Sequence, residues 1–355
     1  MKLLVSMFPG LRVLVVEEMA ARLGLAPVAT GRARGSELVW VQTSDPAGLL
    51  GLRLVEDVFV VVETIPLSGK TVDLKAVTAA LGRPEVWESA LRAQGHLAGR
   101  PTPARVVFRV VAQADDAAWR GYRRVDLQRA AEAGVGRARP GWRLNAGEAP
   151  FEVWLHQVGR NLTVSLRLTS GVNRARGGRA VERAAALRPT IAAAMVRLSE
   201  PADDDVFLDP LCGTGTILLE RALAGRHGLL LGGDIDVGAV KAAVANFGPR
   251  HKPVRIERMD ARKLPLEDAS VDKLVTNLPW GKQIGRPEDL PALYGGMLAE
   301  AVRVVRPGGL VVVLTSEVGV LDWALKSQPG FVVRRRVTGI EVLGRPAEMR
   351  VLARR

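Results

Sequence analysis

A single cysteine, Cys212, stands in 355 residues. That scarcity excludes a disulfide framework and any cysteine-based zinc cluster. Histidine is almost as rare. His96, His156, His227 and His251 are scattered without the spacing of metal ligands, so no metal centre is expected. No apolar run reaches the roughly 18 residues that a membrane span needs. The apolar start MKLLVSMF soon meets Glu17 and Glu18; it suits a strand leading into a helix and not a signal peptide. A protein of the cytoplasm, with no membrane association, is expected. Internal repeats and low-complexity tracts are missing as well.

What the chain has in excess is positive charge. Its formal net charge is +13, with 50 basic against 37 acidic residues. Residues 101–190 hold 16 arginines and 7 acids, whereas residues 1–100 are near balance, with 11 basic and 10 acidic. Such clustering points to a polyanionic partner. Arginine forks onto phosphates and stacks on bases better than lysine does. A coding bias towards arginine would account for the ratio of arginine to lysine, but not for its concentration in one quarter of the chain.

Hydrophobic patterning divides the chain into three parts and a connector. Over 1–65, a strand at 2–8, an amphipathic helix stopped by Gly24 and strands at 38–43 and 53–63 suit a small ferredoxin-like α+β unit. A second unit over 66–170 has helices at 72–81, 85–93 and 125–134, the last ending at Gly134. Its strands lie at 106–113, 151–156 and 161–168. Residues 171–189 are rich in Gly and Arg and read as an exposed linker, in which Arg174, Arg176 and Arg179 are candidate phosphate contacts; a merely solvated linker has equal claim. From 190 to 355, helices alternate with buried apolar runs. The turn Arg306-Pro307-Gly308-Gly309 and two closing strands, at 331–337 and about 340–352, complete the series. This is the pattern of an α/β, doubly wound parallel sheet with an antiparallel terminal hairpin.

Two motifs within that last part carry chemistry. FLDPLCGTGT (207–216) ends a strand on Asp209 and turns through Gly213 and Gly215 into a helix, where unpaired N–H groups gather. A dinucleotide fingerprint would place a third glycine at Leu218, so NAD is disfavoured. Asp234, at the end of the next strand, is placed for ribose hydroxyls, with Asp236 more suited to capping a helix. Asp260 ends the third strand and is placed to accept from an adenine amino group. Farther on stands Asn277-Leu278-Pro279-Trp280-Gly281. An aromatic amine has its lone pair delocalised, and a site that accepts both amine hydrogens can turn that pair towards an electrophile. The Asn277 side-chain oxygen and the Leu278 carbonyl fit this task, with Pro279 stiffening the turn. Trp280 offers a face to a base, worth about 1–3 kcal/mol. In this order the motifs point to methyl transfer from S-adenosylmethionine to a planar amine. No cysteine stands in the loop of Asn277, which disfavours carbon methylation, and Cys212 reads as a small buried residue.

DPLCGTGT, GGDID (232–236), MDARKLP (259–265), NLPWG (277–281) and VRPGG (305–309) resemble the successive motifs of class I S-adenosylmethionine methyltransferases. LRPTIAAAMV (187–196) resembles the helix that RNA-directed members carry ahead of the first strand. FPGLRVLVVEEMAARLG (8–24), with 106–168, is similar to a ferredoxin-like plus THUMP arrangement. Over essentially its whole length the chain resembles the THUMP-containing tRNA guanine-N(2)-methyltransferases. The resemblance implies a Rossmann-like catalytic domain at 190–355 and a THUMP RNA-binding domain at 66–170. It also implies methylation of a guanosine amine at position 6 of the tRNA acceptor stem, with THUMP holding the 3′ CCA end. Asp209, Gly213, Gly215, Asp234, Asp260 and Ala261 would line the cofactor pocket, and Asn277 to Trp280 would hold the base. A monomer is expected. The sequence departs from the commonest amine-methylating tetrad at Leu278 and Trp280, where a second proline and a Tyr or Phe are usual. A ribosomal-RNA guanine methyltransferase, an adenine-specific DNA methyltransferase and an RNA-binding protein with an inactive methyltransferase fold are the competing expectations.

Overall fold

The computed structural model describes residues 1–114, 121–169, 186–249, 251–281, 286–342 and 344–355. The chain divides into two compact units, Met1–Ala175 and Arg176–Arg355. The linker arginines Arg174, Arg176 and Arg179 lie outside the described residues.

The first unit begins β1 (Lys2–Met7), α1 (Arg12–Leu23), β2 (Ala29–Ala33), β3 (Ser36–Gln42), α2 (Ala47–Leu50) and β4 (Asp57–Pro66). These four strands pair antiparallel in the order β2-β3-β1-β4. With a helix after β1 and another after β3, this is the ferredoxin-like arrangement. The chain continues through α3 (Val72–Leu81), α4 (Glu88–Ala98), β5 (Val107–Gln113), α5 (Arg124–Ala138), β6 (Arg143–Leu144), β7 (Phe151–Val158) and β8 (Asn161–Arg167). β8 pairs with β4, so one eight-stranded sheet, β2-β3-β1-β4-β8-β7-β5-β6, runs through the whole unit. The expected boundary at 65/66 falls at the end of β4.

Two expectations in this unit meet a competing interaction, and one strand is additional. β4 begins at Asp57 and not at Arg53, because the N–H groups of Arg53 and Leu54 donate to the buried Glu18 carboxylate at 3.1 and 3.2 Å and so leave the ladder. α5 does not stop at Gly134 but runs on to Ala138. Gly134 is instead where α5 meets α3: a Cβ there would lie 2.8 Å from the Leu81 Cβ, and only glycine permits that approach. β2 was not anticipated. Its sequence ATGRA has no apolar alternation, and it is held by pairing with β3.

The second unit has α6 (Pro189–Leu198), β9 (Val206–Asp209), α7 (Thr216–Ala224), β10 (Leu229–Asp234), α8 (Val237–Phe247) and β11 (Val254–Arg258). Then come β12 (Val271–Asn277), α9 (Leu290–Val304), β13 (Val305–Thr315), α10 (Val318–Lys326), β14 (Phe331–Val342) and β15 (Arg345–Arg354). The sheet order is β11-β10-β9-β12-β13-β15-β14. Only β15 runs in the direction opposite to the other six strands. Strands such as LVVVLT are apolar without alternation because central parallel strands are covered on both faces. Leu208, Leu274, Val311 and Val313 of the sheet share a core with Tyr294, Met297 and Leu298 of α9 and Leu321 of α10.

Two expected turns prove to be bulges. Pairing skips from Val271–Val305 to Lys273–Leu310, so Arg306 to Gly309 are accommodated within β13. Pairing along the last hairpin skips from Val337–Met349 to Ile340–Ala347. Thr338-Gly339 is therefore a bulge inside β14, and the hairpin turns after Val342, where β14 ends.

Candidate active site

The order of the strands reverses between β9 and β12: the chain winds from β9 out to β11 and returns to β12 on the other side. In open α/β sheets, ligands bind at the carboxyl ends of the strands at such a point. There the second unit has a cavity of about 450 Å³. Asp209, Gly213, Asp234, Asp260, Ala261, Asn277, Leu278 and Pro279 all line it. These eight come from the ends of four strands and were all expected together from the sequence. Gly215 and Trp280 were expected with them but are not among the lining residues.

The glycine turn is built from two distinct needs. Gly213 (φ +54°) and Gly215 (φ +81°) both occupy the left-handed region that side chains disfavour. Around Gly213 nothing stands within 4 Å of where a Cβ would be, so the turn there is open. Gly215 is the residue before α7, and a Cβ on it would lie 3.3 Å from Ala243 and from Phe247 of α8. Its service is packing of α7 against α8 as much as backbone freedom.

Asp209 is 1% exposed. Its Oδ1 accepts from the Thr276 hydroxyl at 2.8 Å and from the Leu211 N–H at 3.2 Å. Burial pushes its carboxyl up to about 7, with the charge of Asp234 adding to the shift. Asp209 thus joins the glycine turn to β12. The Oδ2 of Asp234 accepts from the Gly213 N–H at 3.0 Å, and the Oδ1 from the Asp236 N–H at 2.9 Å. Asp236 caps α8 by accepting from Gly238 at 2.7 Å, as the sequence suggested. Beside Asp234, Ile235 lines the cavity with 54% of its surface exposed. An apolar side chain left open at a cavity mouth offers a flat-ring ligand something to pack on. Sequence reasoning passed over Ile235, since one isoleucine in GGDID has no pattern to mark it.

Asp260 is fixed by its neighbour. Arg262, also lining the cavity, donates Nη2 to Asp260 Oδ2 at 2.7 Å and Nε to Oδ1 at 3.0 Å. The guanidinium holds this carboxyl below the ordinary aspartate value. Oδ1 also accepts from the Arg262 N–H at 2.9 Å, so of the carboxylate's roughly four acceptor positions the one left for a ligand N–H lies on Oδ2. Cys212 is buried, and burial raises its thiol far above the ordinary value. A thiol kept protonated in this way is no nucleophile.

The Asn277 turn differs from the rest of the cavity in having an open acceptor. Asn277 ends β12, and its Oδ1 is buried without a hydrogen-bond partner among the described residues. Leaving such a group unmet costs about 1–3 kcal/mol, which a ligand N–H would relieve. Leu278 is buried, and its N–H donates to the Leu314 carbonyl of β13 at 3.0 Å. The Pro279 carbonyl accepts from the hydroxyl of Tyr294, a fully buried α9 residue, at 2.8 Å. Thr315 lies 2.7 Å from that hydroxyl. Tyr294 went unnoticed in the sequence; it sits in a helix with no motif of its own. Trp280 has the Arg345 guanidinium 5.7 Å from its ring centroid. Among the described residues, no group of three or more His, Cys, Asp or Glu could hold a metal ion, and no helix is long and apolar enough to cross a membrane.

The shared cavity can hold a nucleoside with a charged tail on one side and an N–H donor on the other. Known proteins are similar to this chain in sequence and fold. A family model described as an RMKL-like methyltransferase domain matches residues 176–339. The tRNA (guanine(6)-N(2))-methyltransferase THUMP3 of Mus musculus is 36% identical over 183 residues, covering 47% of this chain and 36% of its own length. The U6 snRNA (guanine-N(2))-methyltransferase THUMPD2 of Bos taurus is 39% identical over 142 residues, covering 39% of this chain and 27% of its own. The chain therefore spans only about a third of the curated relatives it matches. The crystal structure of TrmN from Thermus thermophilus superposes with a TM-score of 0.80 at 26% identity, covering 100% of this chain and 99% of that one. Residues 176–339 thus match an RMKL-like methyltransferase domain, and over its whole length the chain is similar to the structure of TrmN.

Proposed function

We propose that the protein transfers a methyl group from S-adenosyl-L-methionine to the exocyclic amine of a guanosine in tRNA, giving N(2)-methylguanosine. The observation that carries this reading is the buried, unpartnered Asn277 Oδ1 in the same cavity as Asp234 and Asp260. Asp234 would hold the ribose hydroxyls, Asp260 the adenine amino group, and the open turn at Gly213 the amino-acid portion. When bound, the cofactor supplies an electrophilic methyl group. The Asn277 Oδ1 and the Leu278 carbonyl would accept the two amine hydrogens and turn the nitrogen lone pair out of conjugation. Pro279 holds these acceptors in place, and catalysis rests chiefly on positioning. The Trp280 ring would contact the base on the face away from Arg345. A paired guanine must leave the stack to reach such a site.

Further parts of the reading rest on resemblance. They are position 6 of the acceptor stem, contact with the 3′ CCA end through a THUMP domain at 66–170 after a ferredoxin-like domain at 1–65, phosphate contacts from Arg174, Arg176 and Arg179, a monomeric state and residence in the cytoplasm. The likeness to a U6 snRNA enzyme favours a second reading, in which the guanine chemistry is the same and the RNA is another.

The test is incubation of the purified protein with labelled S-adenosylmethionine and separate unmodified tRNA, U6 snRNA and ribosomal RNA transcripts, followed by nucleoside mass spectrometry. Labelled N(2)-methylguanosine in tRNA, lost in Asn277→Ala with cofactor binding retained, is expected. Label in another RNA alone would move the substrate, and no cofactor binding would overturn the reading.

A further inference from the structure

The Trp280 ring is gripped from a distant part of the chain. Arg345, the first residue of β15, places its guanidinium 5.7 Å from the ring centroid and its Nη1 3.5 Å from the Trp280 carbonyl oxygen. Its Nη2 is paired with Glu317 Oε1 at 2.7 Å. Glu317 is itself fixed in the turn between β13 and α10. Its N–H donates to Thr315 Oγ1 at 2.9 Å, and its carboxylate accepts from the Ser316 hydroxyl at 3.0 Å. Both members of the pair are only about 30% exposed, at 31% and 28%. A guanidinium over an aromatic face is attracted to it, and its planar fork lets one side chain serve ring, carbonyl and carboxylate together. Neither Arg345 nor Glu317 is among the residues that line the cavity.

We propose that Arg345, anchored by Glu317, is a positioning residue that sets the plane of Trp280 and with it the site's grip on the target base. This deepens the proposed function and rests on it. The terminal hairpin would thereby contribute to base selection without touching cofactor or base. A guanidinium covering one face of the indole restricts a stacked base to the other face, which fixes the side from which the amine approaches Asn277.

The full-length protein would be prepared with 5-fluorotryptophan as wild type, Arg345→Met and Arg345→Lys. The Trp280 resonance is assigned by its loss in Trp280→Phe, against the six other tryptophans of the chain. In Arg345→Met the Trp280 fluorine signal is expected to shift or broaden while the other six stay in place. On tRNA, kcat/KM is expected to fall about tenfold through kcat, the mark of lost orientation, with S-adenosylmethionine affinity unchanged. Arg345→Lys, which keeps a cation beside ring and Glu317 but loses the planar fork, is expected to recover only part of the loss. An unmoved Trp280 signal would overturn the proposal, as would an Arg345→Met variant as active as wild type. Should wild type methylate no RNA, the functional reading fails, and the fluorine spectra still decide whether Arg345 orients Trp280.

Discussion

The Tyr294 hydroxyl donates to the Pro279 carbonyl at 2.8 Å, tying the candidate catalytic turn to the middle of the core. Since that proton is committed, Thr315 must donate to the Tyr294 oxygen, and Thr315 in turn accepts from the Glu317 N–H. A chain of three hydrogen bonds thus runs from the end of β13 to the turn. Tyr294→Phe breaks the link to Pro279. A hydrogen bond of this kind contributes about 1 kcal/mol, so kcat should fall about fivefold with cofactor affinity unchanged. Steady-state kinetics beside cofactor titration checks this.

Asp209 gives the fold a pH signature. Its carboxyl is raised from 3.8 to about 7 in the folded protein, chiefly by burial. A folded value above the unfolded one means that the protonated form is favoured by folding. Its contribution is therefore full below about pH 4 and is lost as pH rises through about 7. Asp209→Asn keeps a neutral acceptor for Thr276 and removes that loss. Urea midpoints of the cofactor-free protein should show the variant gaining on wild type between pH 5 and pH 8. A constant difference would mean that Asp209 is ionised throughout.

The two glycines of the turn should respond unequally to alanine. Gly213→Ala meets nothing within 4 Å, so its cost is the backbone conformation alone, about 1–2 kcal/mol. Gly215→Ala has that cost and also presses on Ala243 and Phe247 at 3.3 Å. Chemical denaturation should show the second variant as the less stable, with α7 and α8 losing protection from hydrogen exchange.

Arg262 and Asp260 form an exposed pair, and such pairs add little to stability. Arg262→Ala should leave the melting temperature nearly unchanged. It should weaken S-adenosylmethionine binding severalfold, because the carboxylate loses the partner that orients it. Calorimetric titration of the cofactor separates the two effects.

The cavity was the most legible part of this chain because its residues sit at strand ends, where periodicity stops abruptly on Asp209, Asp234 and Asn277. Each stop coincides with an acid or amide, and the βα rhythm then places all three on one rim. Tyr294, Ile235 and Arg345 were not legible. Tyr294 acts from inside a helix whose spacing reads as core, and Ile235 is apolar among apolar neighbours. Arg345 works across 65 residues of chain through a hairpin whose turn the sequence misplaced. That misplacement has a local cause, since Thr338-Gly339 has the composition of a turn and is accommodated as a bulge. Gly134 misled in the same way: glycine marks both helix ends and close helix contacts, and only the partner at Leu81 tells them apart. The start of β4 was hidden because Glu18, 35 residues earlier, takes the N–H of Arg53.

β4 has consequences for how the chain is made. One of its edges pairs with β1, close by in sequence, but the other waits for β8, beginning at Asn161. While roughly a hundred further residues emerge from the ribosome, the row Phe59, Val60 and Val61 has unpaired N–H and carbonyl groups beside apolar side chains. At about 5–20 residues per second that interval lasts roughly 5–20 seconds. An open apolar edge of this kind invites pairing with another nascent chain. The newborn first half is therefore where a chaperone that shields strand edges would have most to do, well before the cavity of the second unit exists.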